Sequence, residues 1–364
     1  MKYTAGAVYD AIHAIAPFGS CMEWDNVGLL VGEREAPVNG VLVTLDVAPA
    51  AVEKAREMRL DCIVSHHPII FHPLKRLSPR DTAGLCLRNG ISVVSAHTNY
   101  DFAPRGVNYA LAEALGLRNI RPFGQENSEK PWLSLVVYVP VTHAEAVYRA
   151  MCAAGAGRQG NYSGCAYMSE GEGRFLPETG ATPFLGEVGR LEKTAETRLE
   201  LLCAPERVGA VLAAMRAAHP YEEPAFSILP NHALHTQEVY GMLGELPQPL
   251  LPEELAALTE RVLGTHAQYV PTGKAIKTVA VCGGAGSDFM GEAAAAGAEA
   301  FLTGEVKHHE WFMAAERGLC LMAAGHHATE RIAMPQLARQ LREALPDLPV
   351  EVFNSDPTRW GGAR

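Results

Sequence analysis

Short apolar runs alternate with helical segments twice along this chain, and that alternation limits the folds open to it. From residue 40 to 117 the order is strand "VLVTLDV" (41–47), helix "APAAVEKAREMRL", strand "DCIVSHH", helix "RDTAGLCLRNG", strand "ISVVSAHTNYD" and helix "APRGVNYALAEALGL". Apolar strands separated by helices are the pattern of right-handed βαβ units and a largely parallel sheet. The last third repeats the plan with "TVAVCGGAG", "SDFMGEAAAAGAEA", "FLTGEVKHHE", "LCLMAAGHHATE", "RIAMPQLARQLREAL" and a last short strand, "VEVF". Each stretch carries a strand ending near paired histidines, at 66/67 and at 308/309. In each, a later strand ends on a histidine with an acid four residues on, His97/Asp101 and His326/Glu330. The expectation is an α/β domain made of two pseudo-repeated strand-helix halves.

Something different lies between them. The polar stretch "FGQENSEKPW" (123–132) breaks the pattern. Strand "LSLVVYVP" and helix "THAEAVYRAMCAAGAG" follow, then a glycine-rich, irregular stretch through "PETGATPFLGEVG", strand "TRLELLCAP" and helix "ERVGAVLAAMRAAHP". That order suits a ferredoxin-like α+β insert. The first pattern resumes near "NHALHTQEVYGMLGEL". The boundaries read as 1–124 for the first half of the α/β domain, 125–235 for the insert and 236–364 for the second half.

A length of 364 residues accommodates that organisation. A formal net charge of −10 argues against broad binding of nucleic acid or of an acidic membrane surface. The eight cysteines (21, 62, 86, 152, 165, 203, 282, 320) form no C-x-x-C pair, and several sit in apolar runs, as reduced structural thiols do. Near the N-terminus Asp10 and His13 interrupt the apolar stretch, so it reads as a helix capped by Thr4 and not as a signal peptide. No run approaches the ~18–20 apolar residues of a membrane span. The expectation is a soluble, cytoplasmic protein.

His66 and His67 stand where a buried strand must leave its sheet before Pro68. On a regular strand they would face opposite ways; at its end two imidazoles can flank two neighbouring ions. In an open parallel sheet, sites form outside the carboxyl ends of the strands. "SAHTNYD" brings Asp101 to that rim, and "AGHHATE" brings His326 and Glu330, spaced i, i+4 and on one face if a helix begins near Thr329. His66, His67, Asp101, His326 and Glu330 supply three neutral nitrogens and two carboxylates, enough for two ions if one carboxylate bridges. Such a pair lowers the pKa of bound water and clamps attacking and leaving oxygens. Its residual positive charge would draw an anionic substrate. Mixed N/O ligation suits zinc, iron(II), manganese or cobalt without choosing among them.

Together "EWDNVGLLVG", "LDV", "IVSHHPIIF", "AHTNYD", "TGEVKHHE" and "AGHHATER" resemble the dinuclear-metal-centre family of type 2 homologues of GTP cyclohydrolase I, whose eukaryotic relative was named an NGG-one-interacting factor. The resemblance spans essentially the whole chain. It implies two divalent metal ions as cofactors, with ligands at His66, His67, Asp101, His326 and Glu330, and a toroidal homohexamer. "AGAGRQGNYSGCAYMSEGEGRFLPETGATPFLG" and "AAHPYEEPAFSIL" resemble the middle module of longer members, which is similar to PII/CutA domains. The implied function is a metal-dependent hydrolase acting on a nucleotide or phosphorylated small molecule, with GTP ring opening one candidate reaction. The alternative is a non-catalytic metal-binding sensor, metal-handling protein or scaffold whose insert senses a small molecule.

Other residues carry two readings. His97 is a candidate proton carrier beside the metals, or a hydrogen bond that holds its loop. His308 and His309 either line the cavity or simply begin a helix. Asp25 and Asn26 cap a turn or orient a ligand. "VCGGAGSD" is a phosphate-binding turn or merely a tight one. Glu222 and Glu223 in "HPYEEPA" bind a metal or partner, or belong to a rigid turn between prolines.

Overall fold

The computed structural model describes residues 3–356, and the side chains of all of these except 125–130 and 235–238. The chain forms two compact units, residues 1–125 with 239–364, and residues 126–238. It is a mixed α/β protein with several sheets.

The larger unit contains a five-stranded sheet in the order Val350–Val352, Val41–Thr44, Cys62–Ser65, Ser92–Ser95, Gly28–Val31. The first four are parallel and the last antiparallel. "VLVT", "CIVS" and "SVVS" are buried on both faces, which is why their sequences do not alternate in polarity. Val41, Val43, Cys62, Val64 and Val94 pack with Val8 and Ile12 of helix Ala5–Ile15 and with Leu337 and Leu341 of helix Met334–Ala344. Leu42, Ile63 and Val93 pack the opposite way, onto helices Pro49–Met58 and Thr82–Arg88. Helix Ala5–Ile15 is capped as its sequence suggests, with the Thr4 hydroxyl accepting from Ala7 N at 3.3 Å.

A second sheet in this unit pairs Ile276–Cys282, Ala300–Thr303 and Cys320–Ala323 in parallel. Gln268–Tyr269 lies antiparallel at one side, and residues 242–250 of strand Phe226–Leu250 at the other. Leu111 of helix Val107–Ala114 and Leu255 and Leu263 of helix Pro252–Leu263 cover one face. Helices Met290–Ala295 and His308–Arg317 contribute Met290, Ala293 and Ala314 to the other.

The two sheets exchange cover. Helix Val107–Ala114, from the first stretch, buries Leu111 and Ala112 in the second core. Helix Met334–Ala344 and strand Val350–Val352, from the last stretch, complete the first sheet.

In the smaller unit residues 133–140 pair antiparallel with Glu192–Cys203, which pairs antiparallel with Ala166–Phe175. Helices Ala144–Ala153 and Val208–Ala218 bury Val147, Met151, Val211 and Met215 against Leu135, Val137, Leu199 and Leu201.

Three local readings are corrected. The stretch containing Ala166–Phe175 is irregular by sequence because of its glycines, yet its first part is a strand; backbone pairing with Glu192–Cys203 supplies what side chains do not. Strand Arg118–Pro140 continues through the polar stretch 123–132, since a strand needs a backbone partner more than apolar side chains. "ISVVSAHTNYD" does not stay extended to Asp101: the strand ends at Ser95, and Thr98–Asp101 is a helical turn.

Leu337 is fully buried in the first core. Leu337→Ala is expected to destabilise the larger unit by about 2–5 kcal/mol, read as a lowered urea midpoint at unchanged slope.

Candidate metal centre

The strands that carry the site end on buried hydroxyls, which satisfy the backbone where the chain leaves the sheet. Ser65 Oγ donates to His67 O at 2.8 Å and lies 2.8 Å from Ser95 Oγ. Strand-like bonds continue one step past Ser65, with His66 N donating to Thr44 O and His67 N to Leu45 O. Thr44 Oγ1 and Ser355 Oγ both donate to Asp46 O and so hold the Asp46 loop.

The sequence-predicted residues do meet, but after strands of two separate sheets and not at the rim of a single one, because each stretch forms its own sheet. Glu330 lies at the centre, only 3% exposed. Its Oε2 is 3.0 Å from His67 Nε2, and its Oε1 is 3.2 Å from His326 Nε2 and 3.8 Å from His66 Nε2. Asp101 Oδ1 is 3.4 Å from His66 Nε2. The helix that sets His326 and Glu330 on one face begins at His326 itself, three residues earlier than the sequence suggests. His97 joins from the side, its ring centroid 5.2 Å from that of His66 and 5.6 Å from that of His67. His308 and His309 begin helix His308–Arg317 and belong to none of the metal-competent groups among the described residues.

The other ring nitrogen of each histidine is fixed by an acceptor. His66 Nδ1 donates to Ala96 O at 2.9 Å, His67 Nδ1 to Asp46 Oδ1 at 2.7 Å, His97 Nδ1 to Asp25 Oδ1 at 2.9 Å and His326 Nδ1 to Glu305 Oε1 at 3.0 Å. Each bond places the Nδ1 proton and turns Nε2 toward the centre, the support that metal-binding histidines characteristically have. Asp25 is itself tied down by Thr98 N at 3.0 Å and Thr98 Oγ1 at 2.5 Å. Sequence reasoning raised Asp25 as a possible orienter and missed Asp46 and Glu305, whose partners are 21 residues away in each case.

Three groups of these side chains have donor atoms close enough to hold a metal ion: His66, His67 and His97; His67, His326 and Glu330; and His66, Asp101 and Glu330. An observation independent of that proximity supports the same conclusion. With Nδ1 donating to Ala96, His66 Nε2 is a bare lone pair, and Asp101 Oδ1 facing it is another acceptor. Both atoms are buried and have no hydrogen-bond partner among the described residues. Two buried acceptors confronting each other are costly unless a cation or proton stands between them.

Where no cation stands, protons must. Burial alone would lower the His67 pKa, but hydrogen bonds to Asp46 and Glu330 push it up to about 10. His326 is raised by its bond to Glu330 against a smaller effect of burial. Burial opposes ionisation of Glu330, yet bonds from His326 and His67, with His66 close by, outweigh it and hold the group well below the ordinary carboxylate range. Burial raises Asp101, reinforced by the Glu330 charge and opposed by His66.

The glycine turn after Ile276–Cys282 serves this centre. A Cβ on Gly284 would lie 2.2 Å from Glu330 Oε1, and the residue has a φ of +63°. Gly283 N donates to Asn108 Oδ1 at 2.7 Å, and Gly284 N to Thr329 Oγ1 at 3.1 Å, which locks the turn over Glu330.

With the geometry established, comparison with known proteins adds the lineage. The family model described as Duf34/NIF3 (NGG1p interacting factor 3) matches residues 3–359. The chain belongs to the Duf34/NIF3 family. A Bacillus subtilis member named GTP cyclohydrolase 1 type 2 homolog is 37% identical over 94% of this chain and 93% of its own. Among solved structures, a Bacillus cereus protein related to NIF3 matches with a TM-score of 0.79 and 32% identity, over 98% of this chain and 99% of that one. The Staphylococcus aureus protein SA1388 matches with a TM-score of 0.71 and 25% identity, over 99% of both chains. As for the wider sequence readings, all eight cysteines are free, and among the described residues no helix is long and apolar enough to cross a membrane.

Two outcomes are expected for this Duf34/NIF3 centre. Gly284→Ala should weaken divalent-metal affinity by about 10- to 100-fold with unchanged far-ultraviolet circular dichroism, because it displaces Glu330 without removing a ligand. Metal binding at Nε2 must also displace the His67 proton, whose pKa the bonds to Asp46 and Glu330 push up to about 10. Affinity should therefore fall as pH is lowered through neutrality, by about tenfold per pH unit for each proton displaced, with proton release measurable by calorimetry in buffers of different ionisation enthalpy.

Proposed function

We propose that this protein holds two divalent cations and hydrolyses an anionic small molecule, a nucleotide or phosphorylated compound. The observation that carries the reading is Glu330: it belongs to two of the metal-competent groups, one completed by His66 and Asp101, the other by His67 and His326. Those two groups use all five predicted ligands, and they share Glu330, as a bridging carboxylate requires. Zinc, iron or manganese would fit such a mixed N/O set. Two such cations would supply Lewis-acid polarisation of a substrate oxygen and an activated water.

The chain's own residues would do the rest. His66, His67 and His326 present Nε2 because Ala96, Asp46 and Glu305 occupy Nδ1. His97 has the same arrangement through Asp25 but is not needed for the two groups that share Glu330. It is thereby placed to accept or deliver a proton at Nε2. Exposed Trp24 and Phe71 lie 5.9 Å apart at this edge, with ring centroids 6.0 and 6.4 Å from His97. They offer faces on which a nucleobase could stack, which favours a nucleotide and agrees with the name carried by the Bacillus subtilis relative.

The finer architecture belongs to the same proposal. In the smaller unit the element order β-α-β-β-α-β and the sheet order fourth, first, third, second support a ferredoxin-like insert of the PII/CutA kind. Three parallel strands contributed by each stretch, in sheets with helices on both faces, support reading the metal-binding domain as a pseudo-repeat. Exposed Tyr162, Tyr167, Val188 and Leu191 on the insert support a homo-oligomer, with a hexamer the expected form, and eight free cysteines suit the cytoplasm.

A second reading is a non-catalytic metal-binding sensor or scaffold. A cavity wholly within the smaller unit, lined by residues remote in sequence from every proposed metal ligand, favours it. The two readings separate on turnover. Protein purified without added metal should carry two equivalents of a transition metal per chain by elemental analysis, and it should hydrolyse GTP or a member of a phosphoester panel. His97→Ala should lower kcat by about 100-fold or more at unchanged metal content. Full metal occupancy with no turnover across the panel would rule out the hydrolase in favour of the sensor.

A further inference from the structure

We propose that the smaller unit carries a binding site of its own for a small organic cation, an amine or quaternary ammonium compound with an apolar body. The half-open cavity there has a volume of about 270 Å³, close to the lower end of small-molecule sites. Its lining residues include the aromatic Tyr138, Phe175, Phe184 and Tyr221 and the acidic Glu196, Glu222 and Glu223. The Phe175 and Phe184 ring centroids lie 5.8 and 6.4 Å from that of Tyr221.

The wall is built from the inside. His219 is buried, and its Nε2 donates to Tyr138 O at 3.0 Å while Nδ1 accepts from Tyr221 N at 3.1 Å. Both ring nitrogens are thus committed, and the His219 ring supports that of Tyr221 at 5.1 Å. The Tyr221 hydroxyl donates to Glu196 Oε1 at 3.0 Å. Opposite, a Cβ on Gly173 would fall 2.2 Å from Glu196 Oε2, so that position leaves room for the carboxylate by having no side chain. The segment bearing Phe184 is fastened across the cavity, because Glu222 accepts from Thr182 N at 3.0 Å and from Thr182 Oγ1 at 2.7 Å. The "HPYEEPA" turn is therefore more than a rigid bend: it supplies Tyr221 to the wall and Glu222 to the fastening.

Charge decides the class of ligand. Arg174 also lines the cavity, but its guanidinium is engaged by Glu172 at 2.7 and 2.6 Å. Glu196, Glu222 and Glu223 against Arg174 leave the charged groups of the lining net negative. Carboxylates beside aromatic faces attract a cation twice over, by charge and by the ring quadrupoles. An anion is repelled by the same groups, and a neutral guest leaves the charge uncompensated. The inference is independent of the metal centre and holds whether or not that centre is catalytic.

The test uses the full chain with its metals and two probes, benzyltrimethylammonium and uncharged benzyl alcohol, in calorimetry and ligand-observed NMR. Saturable binding of the ammonium probe is expected, about tenfold tighter than that of the alcohol. Glu196→Gln and Phe184→Ala should each weaken it by about tenfold, with metal content and thermal midpoint unchanged. Absence of binding, equal affinity for the two probes, or indifference to Glu196→Gln in a folded variant would overturn the proposal. A Phe184→Ala variant that alters the oligomeric mass while leaving probe affinity intact would assign the cavity to contacts between copies, and the proposal would fall.

Discussion

Glu330 is an anion placed where water scarcely reaches, and much of the larger unit follows from keeping it there. A lone buried carboxylate would take up a proton. Here His66, His67 and His326 surround it, and Asp46 and Glu305 in turn hold two of those rings. The glycine at 284 exists for the same reason, as the backbone must approach the carboxylate more closely than any side chain allows. Charge, hydrogen bonding and backbone conformation therefore converge on one oxygen pair.

The two sheets of this unit are bound to each other by exchanged helices. Val107–Ala114 buries Leu111 in the second core, while Met334–Ala344 buries Leu337 and Leu341 in the first. The exchange matters to the centre because His66, His67 and Asp101 come from one stretch, and His326 and Glu330 from another. Side chains that meet at about 3 to 4 Å tolerate little movement between their supports. Interleaved cores remove the freedom that two separately packed halves would have.

Much of the mixed α/β fold could be read from the chain, because "CIVS" and "SVVS" have too few polar residues for a one-sided sheet. The gathering of His66, His67, Asp101, His326 and Glu330 was legible in part, because each follows the carboxyl end of a parallel strand; that those strands belong to two sheets and not to one rim was not. What stayed hidden depends on partners distant in the chain. Nothing local says that Asp46 faces His67 or that Glu305 faces His326. The existence of strand Val350–Val352 was legible, but not its place beside Val41–Thr44. Strand Ala166–Phe175 was concealed by its own glycines, one of which is needed for the Glu196 carboxylate.

The placement of Val350–Val352 has a consequence for how the molecule is made. Synthesis runs from the N-terminus, and domains generally fold as units once their residues have emerged. The sheet bearing His66 and His67 gains its last parallel strand only when residue 352 has left the ribosome. All five proposed ligands, the last of them Glu330, have emerged before that strand can pair. A cation held by the proposed ligands would therefore meet them in their final geometry only after residues 350–352 have joined the sheet that carries His66 and His67.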